Sequence, residues 1–129
     1  MSNAIVYVDT ADVREESLAE LQGAIRDLVD FVEANEPRVI AYNVYFNDDG
    51  TEMTVVHVHP DSTSLEHHME VAGPMFRRFV DLVTLSSIHI YGEASETVLK
   101  SVRDKARLLG SGDVVAHAFH AGFARSLFR

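Results

Sequence analysis

The feature that most narrows what this chain can fold into is a two-sided alternation in its apolar segments. Around Val6, Val44, Val56 and Ile88 the residues alternate with a period of two, which sends successive side chains to opposite faces of a strand. One set (Val6, Val8, Ile40, Val44, Phe46, Val56, Val58, Ile88 and Ile90) is apolar and asks for a helical layer over it. The other set comprises Tyr7, Asn43, Tyr45, His57, His59, His89 and Tyr91. It is too polar for an ordinary core and too aromatic for a wetted surface, so it is expected to line a cavity or meet a partner.

The elements around these runs are legible. Ala4 to Val8 reads as a strand, followed by a helix over Val13 to Ala34 on the spacing of Leu18, Leu21, Ile25, Leu28, Val29 and Val32. Pro37 ends that helix and biases Glu36 towards extended backbone. Val39–Phe46 and Met53–His59 form a hairpin across Asn47-Asp48-Asp49-Gly50-Thr51, where Asp49-Gly50 tolerates positive φ. Pro60 to Ser64 turns into a helix carrying Leu65, His68 and Met69, which Gly73-Pro74 is expected to break before Met75, Phe76, Phe79, Val80 and Val83. Leu85–Tyr91 completes the order strand, helix, strand, strand, helix, strand. This is the split βαβ arrangement of an α+β ferredoxin-like domain with a four-stranded antiparallel sheet. Ala94–Leu109 adds a third helix ending at Gly110, and 113–129 reads as a strand or an arm.

At 129 residues this is one domain, with its core over about 4–92 and an extension over 94–129. Eleven basic against twenty acidic residues leave a net charge of −9, the wrong sign for gripping a phosphate backbone, so no nucleic-acid partner is expected. No window approaches the apolar length of a membrane span, and the N-terminus lacks the basic and apolar regions of a secretory signal. The absence of cysteine removes thiolate chemistry and agrees with a reducing, cytoplasmic setting. No glycine-rich phosphate loop, serine nucleophile elbow or HExxH helix is present.

In the split βαβ order both helices cover one side of the sheet, leaving the other bare. With tyrosines and histidines assigned to that side, a second copy of the chain is expected to cover it, giving a homodimer. Phe119, Phe123 and Phe128 make the tail a candidate arm across the partner.

Several stretches resemble the antibiotic biosynthesis monooxygenase family. They are Ala34-Asn35-Glu36-Pro37, Ala41-Tyr42-Asn43-Val44-Tyr45, the hairpin Asn47 to Thr51, Val56-His57-Val58-His59-Pro60-Asp61, and His68 seven residues after Asp61. The resemblance spans roughly Val6 to Tyr91. It implies a dimeric α+β barrel with a pocket between sheet and helices. For some relatives it also implies cofactor-independent oxygenation of quinol or polyketide-like aromatics. The chain departs from that pattern in having no tryptophan.

His57, His89 and His68 are the candidate catalytic residues, because imidazole best moves protons near neutral pH. Tyr7, Asn43, Tyr45, His59 and Phe76 are the candidate substrate contacts. His57 and His59 lie two apart on one strand, a spacing that also suits a metal, but no carboxylate completes a triad on that strand and no metal is assigned. Packing with hydrogen bonds to Tyr or Asn accounts for the same histidines. Of the adjacent pair His67 and His68, one should face inward and one water, and the resemblance selects His68 as the inward one. Arg77 and Arg78 read as solvated or paired with acids. The expected function is cofactor-independent monooxygenation of a small aromatic or quinol-type substrate. The alternative is a non-catalytic small-ligand-binding or assembly module of the same fold.

Overall fold

The computed structural model describes residues 4–125, and its five-stranded sheet runs β2-β3-β1-β4-β5. The strands are β1 (Ile5–Val13), β2 (Ala41–Phe46), β3 (Glu52–His59), β4 (Val83–Tyr91) and β5 (Gly110–His117). The helices are α1 (Leu18–Asn35), α2 (Ser62–Phe76) and α3 (Glu96–Leu109), with a short 3₁₀ turn at Arg77–Phe79. The first four strands pair antiparallel in the expected ferredoxin-like order, with β1 and β3 central. The sheet has one strand more than the four expected. The tail contributes β5, which pairs parallel to β4 through the α3 crossover.

Local chemistry accounts for most boundaries. The hairpin closes on Gly50 at φ 72°, with Asp49 Oδ1 accepting from the Thr51 amide and hydroxyl. Asp61 caps α2 by accepting from the Ser64 amide, and Ser95 caps α3 by accepting from Val98. The expected break at Gly73-Pro74 is absent, since α2 runs through Pro74 to Phe76. Gly73 has no Cβ to clash with the proline ring, so the helix continues with one backbone donor fewer. In β4 a register shift at Ser86 lets Leu85 and Ile88 both point under the helices.

The register corrects the face assignment. Tyr7 lies opposite His57 on β3 and Ile90 on β4, and His57 lies opposite Tyr42 on β2, so these four share a face. That face is the helix-covered one: Ile5, Tyr7, Asp9, Ala11, Met53, Val55, His57, His59, Ile88 and Ile90 are all buried. Val44 and Phe46 fall on it as expected, across from Val55 and Met53. Val6, Val8, Val56 and Val58, expected under the helices, lie instead on the other face with Asn43, His89 and Tyr91. Tyr7 and His57 therefore do not share a face with His89, which stands across from Val8.

The β5 junction depends on a close backbone approach. A Cβ built on Gly110 would sit 2.5 Å from the Leu85 carbonyl oxygen and 2.8 Å from its nitrogen, both backbone atoms that cannot swing away. Gly110→Ala is expected to force β5 off β4 and destabilise the fold by about 1–3 kcal/mol, the scale of local backbone strain. Urea denaturation checks this, and an unchanged midpoint would show that the strand can shift at no cost.

Candidate functional site

A polar cluster lies buried between the sheet and the helices. On β1 the inward residues are Ile5, Tyr7, Asp9 and Ala11. The Tyr7 hydroxyl donates to Asp9 Oδ2 at 2.6 Å. Lys105, one of the buried residues of α3, reaches across to donate to Tyr7 Oη at 2.7 Å and to Asp9 Oδ2 at 3.2 Å. Its ammonium also lies 4.9 Å from the Tyr7 ring centre and 4.4 Å from that of Phe76. Burial, and then the neighbouring Asp9, pushes the Tyr7 phenol well above its usual range, so it stays protonated as a donor.

The second half of the cluster is made of imidazoles. His57 stacks between Tyr7 and Tyr42, at centroid distances of 4.0 and 4.8 Å. Its Nδ1 lies 2.6 Å from His59 Nε2, and His59 Nδ1 lies 2.8 Å from Ser64 Oγ in the first turn of α2. His68, one turn further along α2, hydrogen-bonds through Nδ1 to Glu36 Oε1 at 2.8 Å, and its ring centre is 4.8 Å from that of His57. Glu36 is the residue just after α1, where the chain turns towards Pro37. Among the described residues, His57 Nε2, His68 Nε2 and Glu36 Oε2 are buried with no hydrogen-bond partner. Burial holds His57 well below the usual imidazole range and His59 down to about 3. It also lowers His68, against the opposing pull of the Glu36 hydrogen bond. All three rings are therefore neutral near pH 7.

A small cavity of about 30 Å³ adjoins the cluster, lined among others by Asp9, Tyr42, Phe76 and Lys105. That is room for a water or two, well short of the several hundred Å³ of a typical ligand site, so a larger guest must displace side chains. Met53, Phe76 and Phe79 also stand on its wall.

The structure thus brings together Tyr7, His57, His59, His68 and Phe76 of the candidate residues. Asn43, Tyr45 and His89 lie on the opposite face, where His89 Nδ1 meets His117 Nε2 at 2.9 Å and Tyr91 stacks on His117 at 4.5 Å. Of the adjacent pair, His68 is buried and His67 exposed. Arg78 pairs with Asp27 at the surface. Asp9, Glu36, Tyr42, Ser64 and Lys105 were not singled out as site residues in the sequence. Lys105 was the most legible of them, because it interrupts the apolar stripe of Val98, Val102, Ala106 and Leu109 at helical spacing. Among the described residues, no group of three or more His, Cys, Asp or Glu side chains is arranged to hold a metal ion.

By sequence, no protein-family model and no curated protein matches the chain. By structure, it is similar to MupZ from Pseudomonas fluorescens, with a TM-score of 0.74 at 16% identity over 97% of this chain and 91% of that one. It is also similar to SnoaB from Streptomyces nogalater, described as a cofactor-independent oxygenase. There the TM-score is 0.61 at 14% identity, over 73% of this chain and 96% of that one. A protein from Bacteroides thetaiotaomicron, provisionally named an antibiotic biosynthesis monooxygenase, superposes with a TM-score of 0.56 at 19% identity, over 65% of this chain and 84% of that one. The chain has the fold of the antibiotic biosynthesis monooxygenase-like proteins. The MupZ likeness takes in nearly the whole chain, α3 and β5 included, whereas the SnoaB likeness covers about the length of the core.

Two predictions follow from the buried groups. Because His57, His59 and His68 stay neutral when folded, the unfolded chain binds more protons once the pH drops below about 6.5. Stability is therefore expected to be flat above pH 7 and to fall below about 6.5, by up to about 1.4 kcal/mol per pH unit for each histidine, down to its folded value. Urea midpoints from pH 8 to 4.5 measure this, and a flat profile would contradict the neutral assignment. Lys105→Met alone is expected to cost about 3–5 kcal/mol by leaving Asp9 buried opposite no cation. The double variant Asp9→Asn/Lys105→Met should recover much of that loss. With Asp9→Asn also measured alone, a double-variant cost equal to the sum of the two single costs would show that the two groups are not coupled.

Proposed function

We propose that this chain is an enzyme that moves protons with its own side chains on a small, mainly apolar, hydroxyl-bearing molecule, and that the reaction is cofactor-independent monooxygenation of a phenol or quinol. One observation carries the reading: neutral buried imidazoles with unpartnered nitrogens stand beside a phenol, a carboxylate and an ammonium, all in one helix-covered layer. Removing a hydroxyl proton from such a substrate raises its electron density. The anion can then react directly with dioxygen, one oxygen atom entering the product and the other leaving as water. The likeness to SnoaB, a cofactor-independent oxygenase, supports this reading.

A second reading, redox-neutral chemistry at a hydroxyl or ring oxygen, is favoured by the Asp9–Tyr7–Lys105 arrangement. There, donors and an acceptor lie within 3.2 Å of one another. Deprotonation alone needs a base, whereas isomerisation, elimination or ring closure needs an acid as well. A panel of quinols and hydroxylated polyketide-like compounds, followed both by oxygen uptake and by product mass, separates the two. His57→Gln and His68→Gln are expected to lower kcat/KM by about 10²–10⁴-fold, the usual worth of a general acid or base. The exposed His67→Gln should not. Tight binding of a compound that is never converted would indicate the non-catalytic module instead.

We also propose a homodimer formed through the open face of the sheet. Val6, Val8, Val56 and Val58 lie there, and Tyr45, Tyr91, Phe119 and Phe123 are exposed. A groove of about 390 Å³ runs between Val6, Val58, Tyr91, His117 and the tail. Exposed rings beside valines on one sheet face are the kind of surface that marks a protein–protein contact. Light scattering is expected to give twice the chain mass, and Val8→Glu/Val56→Glu a folded monomer. A wild-type monomer at micromolar concentration would remove the proposal. A cytoplasmic setting fits the cysteine-free chain.

A further inference from the structure

The buried imidazoles differ in what fixes their protons. Glu36 Oε1 faces His68 Nδ1 at 2.8 Å; with the Glu36 oxygen as acceptor, His68 Nδ1 carries the hydrogen and His68 Nε2 presents a lone pair. The Ser64–His59–His57 chain has two arrangements of neutral rings. In one, hydrogens point outwards, from His57 Nδ1 to His59 Nε2 and from His59 Nδ1 to Ser64 Oγ, leaving His57 Nε2 a second bare acceptor. In the other, Ser64 donates to His59 Nδ1, His59 Nε2–H donates to His57 Nδ1, and His57 Nε2–H is a free donor. The outward form would set two lone pairs in neighbouring buried rings. No single hydroxyl can satisfy both, since it has one hydrogen to give. The inward form pairs a donor with an acceptor, the complement of one hydroxyl group.

We infer that Ser64 and His59 hold His57 as an Nε2–H donor while Glu36 holds His68 as an Nε2 acceptor, so that the two rings together form a recognition site for a buried alcohol or phenol hydroxyl. This rests on the acid–base reading above and deepens it. The ligand hydroxyl donates to His68 Nε2 and accepts from His57 Nε2–H. When its proton transfers to His68, the imidazolium is paired with Glu36, and the oxyanion left behind is held by the His57 hydrogen bond. Reversal returns the same proton, so no oxidant or further acid is consumed. A carbonyl could engage His57 but would leave His68 unsatisfied, and an ether would do the same. Glu36, His59 and Ser64 are positioning residues, acting only through the two rings.

Nitrogen-15 NMR of histidine-labelled wild-type protein at pH 7.5 reads the tautomers without any turnover. His57 and His59 are expected in the Nε2–H form and His68 in the Nδ1–H form. Ser64→Ala should move His57 towards the Nδ1–H form, and Ser64→Thr should restore it. Phenol is the ligand probe: it should shift both His57 Nε2 and His68 Nε2, while anisole, its methyl ether, should shift neither by more than a tenth as much. His57 in the Nδ1–H form, His68 in the Nε2–H form, equal responses to phenol and anisole, or no response to phenol would each overturn the inference. Turnover with the wrong tautomers would sink this site and keep the enzyme. Correct tautomers and phenol recognition without turnover on any substrate would do the reverse.

Discussion

The structure turns on one costly arrangement, a lysine and a carboxylate held out of water beneath three helices. Ion pairs in such places survive only where hydrogen bonds meet most of their needs. Here the Tyr7 hydroxyl bridges the pair, donating to Asp9 and accepting from Lys105. Aromatic rings fill the space around it, with Phe76 and Tyr7 under the ammonium and His57 stacked on Tyr7. Remove α3 and the ammonium goes with it. The segment beyond the four-stranded core is thus a structural part of the candidate site, which gives meaning to the MupZ likeness covering that segment too.

The imidazole cluster follows from the same layer. Once Tyr7 points inward, the antiparallel register places His57 and His59 inward beside it, and α2 must pack over them. It does so with Ser64 and His68, residues one helical turn apart and hence on one face. Glu36 reaches His68 because α1 ends just there, before Pro37, leaving its buried side chain facing α2. A helix stop, a capped helix start and a strand register each contribute one member of the group.

Much of this was readable along the chain. Every expected core element is present, the order of the first four strands is as read, and the turn at Gly50 and the stop at Pro37 formed where their backbone chemistry demanded. His57, His59 and His68 were recognised as a concentration of chemistry, and His68 was distinguished from His67. The inward face of β1 and β3 was assigned the wrong way, because valines were taken to seek the helices and rings the open side. That rule fails when polar groups can satisfy one another. Tyr7 finds Asp9 and Lys105, and His57 finds His59, which makes their burial tolerable and frees the valines to face outward. Asp9 escaped for the same reason, since it sits at an alternate position with Tyr7 and shares its fate.

Periodicity, capping and turn chemistry are local properties, so the chain by itself determined its elements, their order and the fact that the sheet has two unlike sides. Which side turned inward was beyond it, because an alternating pattern reads the same with its faces exchanged. That choice was decided by contacts such as Lys105 to Tyr7, 98 positions apart, and His68 to Glu36, 32 apart. Only the folded layer brings a cation and a carboxylate to groups that would otherwise have stayed in water.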